Sequence, residues 1–452
     1  MKRKRAMALL VMAALLGALI MGCTGPNDGS QAADAISWPT LMAEAAALEA
    51  PERGVKEPNL TAVAQGANDF AFRLSAELVK EAGTENFVCS PYSVWLPTAA
   101  LLNATAEPYR EELLAALGAA GLDAEDVNRA ASRMLYDLTR QYEKDSADYY
   151  QEKLDPEYSP PDPLKIANAI FVNDQLTLKP SFAQAFMDSF RGQAMSVDFT
   201  SPSAVQAVNE WASDHTEGLI PEIVQQFDPD NTVAVVANAI YFADRWGREF
   251  NPDNTTEGVF HAPGGDATAD FMLRSGDEQV YYEDDAIQAM PLTFTSGGGL
   301  YILLPRDGDA AGLLAGMTPE YFERIRQDSI LATGKLLLPR FEIESPVMPL
   351  KETLIALGVP LFDQSNAPLT GGLVEEDVPV WLSDAVQKAV IKVDEKGTTA
   401  AAVTALVAET ESIPMPTEPF EMICDRPFVF ILYDRTYDGG QQVLFTGVVN
   451  QP

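Results

Sequence analysis

Apolar residues recur at helical spacing soon after residue 60. In the segment DFAFRLSAELVKEAG, Phe70, Leu74 and Leu78 share one face of a helix, and Gly83 follows as a stop signal. The segments PYREELLAALGAAG, PSFAQAFMDSF and LKETLIALG also indicate helices. The pattern therefore predicts several helices distributed along the chain.

Short apolar runs typical of strands dominate the second half of the chain. They are TVAVVANAIYF, GLYILLP, GKLLLPRFEIE, PFVFILY and QVLFTGVV. Helices and strands mix without a regular βαβ alternation, which favours an α+β fold over a doubly wound sheet. Residues 24 to about 60 indicate a polar tether, in which the Ala/Glu-rich LMAEAAALEA has some helical content.

The N-terminus predicts a targeting segment. MKRKRAMALLVMAALLGALIMGC begins with basic residues, continues as an apolar run and ends in a small residue before Cys23, which is the pattern of a secretory signal. We expect a signal peptide over residues 1–22, a tether over 23–60 and a folded domain over 61–452. No other stretch reaches the ~20 apolar residues that a membrane-spanning helix needs.

The end of this segment, Ile20-Met21-Gly22-Cys23, resembles the lipobox of bacterial lipoproteins. The resemblance implies that Cys23 carries lipid, becomes the new N-terminus and anchors the protein to the membrane at the cell surface. An uncleaved membrane anchor and plain secretion are the alternatives. Each of them also places the folded domain outside the cytoplasm.

Composition narrows the classes of function. The 452 residues carry a formal net charge of -35, and so acidic a surface repels nucleic acid. The chain has two histidines, His215 and His261, and lacks HExxH, Walker, GxSxG and GxGxxG motifs. The sequence therefore argues against an enzyme and predicts no catalytic residue, cofactor or metal site. Cys89 and Cys424 are expected to be buried small hydrophobes rather than a disulfide.

Several motifs, in the right order, resemble the serpin family from about residue 60 to the C-terminus. They are NFVCSPYSVWLPTAALL, LKIANAIFVN, VNEWASDHTEGLIPEIV, VANAIYFADRWGREFNPDNTTEGVF, LLLPRFEIE and DRPFVFILYDRTYDGGQQVLFTGVVNQP. The likeness implies the serpin fold, with three β-sheets, surrounding helices and an exposed reactive-centre loop at about residues 397–420. The residues that it places at the opening of the central sheet are Ser90, Ser93, Asn238, Trp246 and Gln387. Gln387 stands where the family usually has His, and its amide cannot titrate.

The segment DEKGTTAAAVTA lies where the resemblance places the hinge of the reactive loop. No charge and no Pro occur from Thr398 to Ala408, so this run can enter a sheet without burying a charge or losing ladder donors. An ordinary surface strand or an Ala-rich helix is the alternative, although the β-branched residues weaken the helix. The hinge residues are Glu395, Gly397, Thr398, Ala400, Ala401 and Ala402.

The family register places the scissile bond at Glu411–Ser412. Cleavage one bond earlier, after Thr410, is the alternative. A Glu at this bond suits a glutamyl endopeptidase, and the small residues before it also suit elastase-like or subtilisin-like enzymes. We therefore predict a serine protease inhibitor that acts as a suicide substrate, in which the cleaved loop inserts into the central sheet and traps a covalent acyl-enzyme.

Two other functions compete with this prediction. A non-inhibitory serpin acting as a surface binding protein is the first, but such relatives tend to carry Pro or bulky charge in the hinge. A lipoprotein enzyme or solute-binding protein is the second, suggested by the lipobox alone. We expect a monomer whose partners are a serine protease and, through the lipid, a membrane.

Overall fold

The computed structural model describes residues 40–43, 57–139, 164–228, 232–398, 419–436 and 440–452. The α-helices are α1 (Leu60–Ala82), α2 (Pro91–Ala100), α3 (Tyr109–Ala116), α4 (Ala124–Leu138), α5 (Pro180–Phe190), α6 (Ser203–His215), α7 (Ala310–Ala315), α8 (Pro319–Asp328) and α9 (Lys351–Ala356). The first nine strands are β1 (Thr40–Ala43), β2 (Phe87–Cys89), β3 (Leu164–Asn173), β4 (Gly192–Val197), β5 (Ala234–Phe242), β6 (Asp244–Arg245), β7 (Thr256–Ala262), β8 (Gly265–Glu283) and β9 (Ile287–Thr293). The remaining strands are β10 (Gly299–Pro305), β11 (Ile330–Pro339), β12 (Phe341–Glu344), β13 (Met348–Pro349), β14 (Val386–Gln387), β15 (Val390–Val393), β16 (Gly397–Thr398), β17 (Phe420–Ile423), β18 (Phe428–Arg435) and β19 (Gln441–Val449).

These strands form three larger sheets and one two-stranded pair in the described part of the chain. The largest sheet has the order β17-β11-β8-β9-β10-β18-β19-β2, and β7 also pairs with β8. The other two have the orders β1-β4-β3-β5 and β12-β15-β16-β6, and β13 pairs with β14. Because β6 follows β5 after one residue, the chain joins the two four-stranded sheets at the end of β5.

Helix α1 lies in the main core of the protein. Phe70, Leu74 and Leu78 are all buried on it, as their spacing predicts. The helix ends before Gly83, whose φ of 59° is a left-handed conformation that glycine adopts without strain. Strand β19 and helices α2, α4 and α7 pack around α1.

A second, smaller core lies between α6 and the outer face of the first four-stranded sheet. Trp211 of α6 meets Phe171 of β3 edge to face, with ring centroids 6.0 Å apart. Beside them, the strands present Ala169, Ala237 and Ala239 to the helix. The contact is therefore built largely on small strand residues, and it is separate from the main core.

The predicted α+β fold is confirmed, and most of the predicted elements lie where the pattern placed them. Residues 44–50 of LMAEAAALEA lie outside the described residues, so most of its expected helical content stays a prediction, but its start, residues 41–43, belongs to strand β1 rather than to a helix. Its register pairs Thr40 with Ser196 of β4, so a sheet edge has overridden the local preference of the sequence for helix. No helix in the described ranges is long and apolar enough to cross a membrane. The predicted signal peptide over residues 1–22 lies outside the described residues.

Candidate functional site

An open seam separates the two four-stranded sheets. Strand β5 is the last strand of its sheet, and β15 pairs with β12 and β16 rather than with β5. A cavity of about 90 Å³ lies in the seam, lined on one side by residues 235–240 of β5 and on the other by residues 384–388 around β14. Across the described residues, one edge of β5 therefore has no strand partner.

Strand β16 closes one end of this seam. Thr398 pairs with Asp244 of β6 on one side and with Val393 of β15 on the other, and it is only 1% exposed. Gly397 has a φ of 154°, and a Cβ at this position would lie 2.0 Å from the carbonyl oxygen of Asp244. Only glycine fits so close to that strand. The first two residues of the predicted loop thus already belong to the sheet, which shortens the loop between described strands to residues 399–419.

Glu395 fastens the turn that precedes β16. Its carboxylate accepts hydrogen bonds from Arg340 Nε at 2.8 Å and from the Thr255 hydroxyl at 2.6 Å. Burial alone would raise the pKa of Glu395, but the hydrogen bonds from Arg340 and Thr255 outweigh it and hold this pKa below its usual range. Arg340 also reaches Asp270, at 3.3 Å. Glu395 is therefore a carboxylate anchor for the turn before β16, which the sequence analysis predicts to be the hinge.

Trp246 holds the same turn through its backbone and its ring. Its amide donates to the carbonyl oxygen of Lys396 at 2.8 Å, and its indole Nε1 donates to that of Asp394 at 2.8 Å. The indole is stacked on Phe294 with a centroid distance of 4.7 Å, which fixes its orientation. The amide of Phe250 donates to the carbonyl oxygen of Glu395 at 2.9 Å.

Farther down the seam, Gln387 ties β14 to the start of helix α2. Its side-chain amide donates to the carbonyl oxygen of Ser90 at 2.7 Å, and its carbonyl oxygen accepts from the Ser90 amide at 3.1 Å. The Ser90 hydroxyl donates in turn to the carbonyl oxygen of Leu444, at 2.8 Å. Gln387 therefore satisfies both backbone groups of Ser90 without a titratable ring.

Asn238 forms the corresponding link on the β5 side of the seam. It accepts a hydrogen bond from the Ser93 hydroxyl of α2, and its amide donates to Asn168 Oδ1 at 2.7 Å. Asn168 then donates to the carbonyl oxygen of Phe190 at 2.6 Å. The chain of hydrogen bonds connects α2, β5, β3 and the end of α5, so movement of β5 must break or carry it.

The structure brings together most of the residues singled out from the sequence. Glu395, Gly397, Thr398 and Trp246 meet at one end of the seam. Farther down, Ser93, Asn238 and Gln387 line it, and Ser90 is hydrogen-bonded to Gln387. The predicted residues that lie outside the described part of the chain are Ala400, Ala401, Ala402, Glu411, Ser412 and Cys23.

Sequence reasoning missed Arg340, Thr255 and Asn168 as contributors to the site. Arg340 offered no signal of its own, since the segment GKLLLPRFEIE also carries Lys335, Glu342 and Glu344. Cys89 and Cys424 are buried and unbridged, as expected, and burial raises the pKa of the Cys89 thiol to about 11. The described residues contain no group of three His, Cys, Asp or Glu that could hold a metal ion.

Comparison with known proteins assigns this architecture to one family. The family model described as "Serpin (serine protease inhibitor)" matches residues 65–452. Rat alpha-1-antiproteinase is 28% identical, over 92% of this chain and 95% of the relative, and mouse alpha-1-antitrypsin 1-3 is 30% identical over the same shares. Barley serpin-Z4 is 29% identical, over 85% of this chain and 94% of the relative.

Solved structures give the same result for the fold. The thermophilic serpin tengpin in its native state superposes with a TM-score of 0.73 at 22% identity, over 92% of this chain and all of that chain. Thyroxine-binding globulin in complex with thyroxine superposes with a TM-score of 0.67 at 23% identity, over 86% of this chain and 99% of that chain. The chain therefore belongs to the serpin family, whose model describes serine protease inhibitors rather than enzymes.

Proposed function

We propose that this chain inhibits a serine protease by acting as a suicide substrate. The observation that carries the proposal is the open seam, because β5 has a free edge in the described fold and β16 already occupies one end. A strand supplied by the remainder of the loop would fill the seam. It would also pair the free backbone donors and acceptors along β5.

Strand β16 sets the register in which the loop would continue. Thr398 lies opposite Asp244, and extending this antiparallel pairing one residue at a time brings Ala408 opposite Ala234, the first residue of β5. The uncharged run from Thr398 to Ala408 therefore has the length of the seam. The next residue, Glu409, would fall beyond the start of β5, where its charge could remain in water.

The same register predicts which loop side chains would enter the core. In β5, Phe242 faces the main core and Ala239 faces helix α6. Directly opposed residues of antiparallel strands share a face, so Ala400 and Ala402 would face the main core while Ala401 would face α6. Small residues on both faces allow the strand to enter without displacing packed neighbours.

Insertion of this strand supplies the free energy for the trap. Each inserted residue gains ladder hydrogen bonds worth about 1 kcal/mol, and its apolar surface is buried in addition. The intact protein is then a metastable state that a kinetic barrier holds. A protease attached to the loop as an acyl-enzyme would be carried along, and an active site distorted by about 1 Å loses much of its catalysis.

The proposed bond of attack is Glu411–Ser412, with Thr410–Glu411 as the neighbouring choice. The first bond points to a glutamyl endopeptidase. The second points to an elastase-like or subtilisin-like enzyme. We also propose that the inhibitor acts at a cell surface, held by lipid on Cys23, because the sequence before Cys23 has the features of a lipoprotein signal.

A gel-based trapping assay tests the inhibitory function. The full-length mature protein is mixed with a panel of serine proteases of glutamyl, elastase-like, subtilisin-like and trypsin-like specificity. A covalent complex that survives boiling in SDS supports the proposal, and mass spectrometry of the released C-terminal fragment gives the bond. Cleavage without any complex would instead favour a binding protein, a role that thyroxine-binding globulin illustrates within this fold.

A further inference from the structure

We propose that Arg248 and Arg274 form a carboxylate-binding site, and that the acidic segment Glu409–Glu411 of the chain's own reactive loop occupies it in the intact protein. We refer to these two residues as the arginine pair. The inference goes beyond inhibition, because it assigns a site that holds the loop before a protease binds. It rests on the proposed insertion of the loop only for the expectation that the contact ends after cleavage.

The arginine pair lies beside the hinge. Arg248 is exposed and follows the end of β6 by three residues. The guanidinium of Arg274, on β8, lies over the ring of Phe250, 4.4 Å from its centroid, where the aromatic face attracts a cation. The backbone amide of Phe250 donates to the carbonyl oxygen of Glu395 at 2.9 Å. Phe250 therefore connects Arg274 to the turn before β16.

Arg274 carries a charge that no described carboxylate balances. Its Nη2 donates a hydrogen bond to the carbonyl oxygen of Arg248, and its Nε is buried without a hydrogen-bond partner in the described part of the chain. Burial and the positive charge of Arg248 lower the pKa of Arg274 to about 10. By contrast, Arg340 is paired with Glu395. A carboxylate that reached Arg274 would therefore relieve an unfavourable charge and accept a hydrogen bond from it.

The two ends of the loop lie on either side of the arginine pair. At one end, Thr398 pairs with β6, which ends three residues before Arg248. At the other end, Met422 of β17 and Arg274 of β8 lie opposite the same residue of β11, Leu336. Arg274 is therefore two strand spacings, roughly 10 Å, from the returning chain. The loop thus starts and ends near the pair.

The charge of the loop matches that of the arginine pair. Residues 399–418 contain Glu409, Glu411 and Glu418 but no Lys, Arg or His. Glu409 and Glu411 are two residues apart, so in an extended segment their side chains point to the same side, about 7 Å from each other. Two neighbouring carboxylates can therefore meet two neighbouring guanidinium groups. Glu418 precedes Met422 by four residues, which places it roughly 13 Å along the strand from the row of Arg274.

Insertion of the cleaved loop would remove this contact. In the proposed register Ala408 lies opposite Ala234, at the end of the nine-residue strand β5 that is farther from the hinge. The acidic segment would thus move away from the arginine pair by roughly 30 Å. A contact made in only one of two states favours that state. The arginine pair therefore stabilises the intact, metastable form relative to the inserted form.

A double-mutant cycle on the intact, full-length mature protein tests this site. Arg248→Gln removes the exposed charge of the pair, and Glu409→Gln combined with Glu411→Gln removes the charges of the loop segment. Each change is expected to lower the thermal midpoint by roughly 2 °C, and all of them together should lower it no further than either alone. Arg248→Lys keeps the charge and should lose less. Arg324→Gln is the matched control, since the Arg324 side chain on α8 is 58% exposed, and its effect should add to that of the loop change.

The same comparison on loop-cleaved protein, cut by a subtilisin-like enzyme, gives the second readout. Arg248→Gln should leave the midpoint of the cleaved form unchanged. An equal loss in both forms would show that Arg248 supports the fold rather than the intact loop, and additive losses in the intact protein would show that the pair and the loop acids do not interact. If the loop change has no effect, a carboxylate from another molecule is the better occupant, and the inference fails. If the cleaved protein melts no higher than the intact protein, the proposed insertion fails instead, while coupling in the intact protein still supports the carboxylate site.

Discussion

Replacing Glu395 by Gln should loosen the hinge without changing its shape. Gln is nearly isosteric and can still accept the hydrogen bond from Thr255, which is 2.6 Å away. It loses the negative charge that accepts from Arg340, and its own amide donors have no acceptor on a guanidinium. The substitution therefore removes the charge-assisted part of the anchor and little else.

The cost follows from the exposure of the two partners. Glu395 has a side chain 7% exposed, while the side chain of Arg340 is 42% exposed. A hydrogen bond to a charged group contributes about 1.5–3 kcal/mol. Because the exposed guanidinium can turn to water when its partner is lost, we reduce this to about 1–2 kcal/mol. Local opening of the hinge should become roughly 5–30 times more frequent.

Hydrogen exchange measures that opening directly. The reporters are the amides of Trp246 and Phe250, which donate to the carbonyl oxygens of Lys396 and Glu395 at 2.8 and 2.9 Å. We expect both to exchange roughly 5–30 times faster in the variant at neutral pH. Asp270→Asn is the matched control, since it removes an exposed partner of the same arginine and should change neither rate.

Acid pH gives a second readout of the same anchor. The folded pKa of Glu395 is depressed, so its stabilisation is present above the unfolded pKa of about 4.3 and is lost as pH falls through the folded value. The difference between wild type and Glu395→Gln should therefore disappear at low pH. Equal exchange rates at neutral pH, or a difference that persists in acid, would refute the role of the charge.

Three further predictions concern the hinge, the seam and the N-terminus. Thr398→Arg should turn the inhibitor into a substrate, because a guanidinium is costly to bury at a position only 1% exposed, so β16 would leave the sheet and the cleaved loop would lose the paired residue from which insertion continues. A gel should show cleavage without complex; undiminished trapping would refute it. Gln387→His should make the thermal midpoint of the intact protein depend on pH between about 5 and 8, since His titrates there and Gln does not; a flat profile would contradict the role given to this amide. Cys23→Ala should move the protein from the membrane fraction to the soluble fraction and remove lipid mass from the N-terminal peptide. Unchanged fractionation would refute the proposed lipid anchor.

The local spacing of apolar residues was enough to predict those helices and strands whose formation depends on their own residues. PSFAQAFMDSF coincides with helix α5, Pro180–Phe190, and GLYILLP coincides with strand β10, Gly299–Pro305. Each carries a pattern of apolar residues that its own secondary structure buries. By contrast, LMAEAAALEA has the composition of a helix, yet β1 pairs with β4 across more than 150 residues of chain. A prediction from neighbouring residues alone cannot include β4, so it could not identify this strand.

The candidate site could be predicted only in part for the same reason. The family resemblance placed the hinge, and the contiguous run Thr398–Ala408, which lacks charge and Pro, agreed with that placement. The Arg340 partner of Glu395 could not be predicted from the sequence, since Arg340 lies 55 residues before Glu395 and contacts it only in the folded protein. Gln387 and Ser90 are separated by 297 residues, and the pair of hydrogen bonds between them depends on how α2 packs against β14. The family resemblance placed these residues near one another, but the geometry supplied their partners.

The central claim is that the intact protein leaves a seam that its own cleaved loop completes. The most direct measurement is a thermal melt of intact protein and of protein cleaved at Glu411–Ser412, with the cut site read by mass spectrometry. Nine residues, Ala400–Ala408, would then pair along β5, since Thr398 already pairs with β6 in the intact protein. At about 1 kcal/mol each, this pairing is worth roughly 9 kcal/mol. For a domain of this size that raises the thermal midpoint of the cleaved form by roughly 10 °C or more. A cleaved form that melts at or below the intact protein would contradict insertion, and the chain would then be a binding protein with a serpin fold.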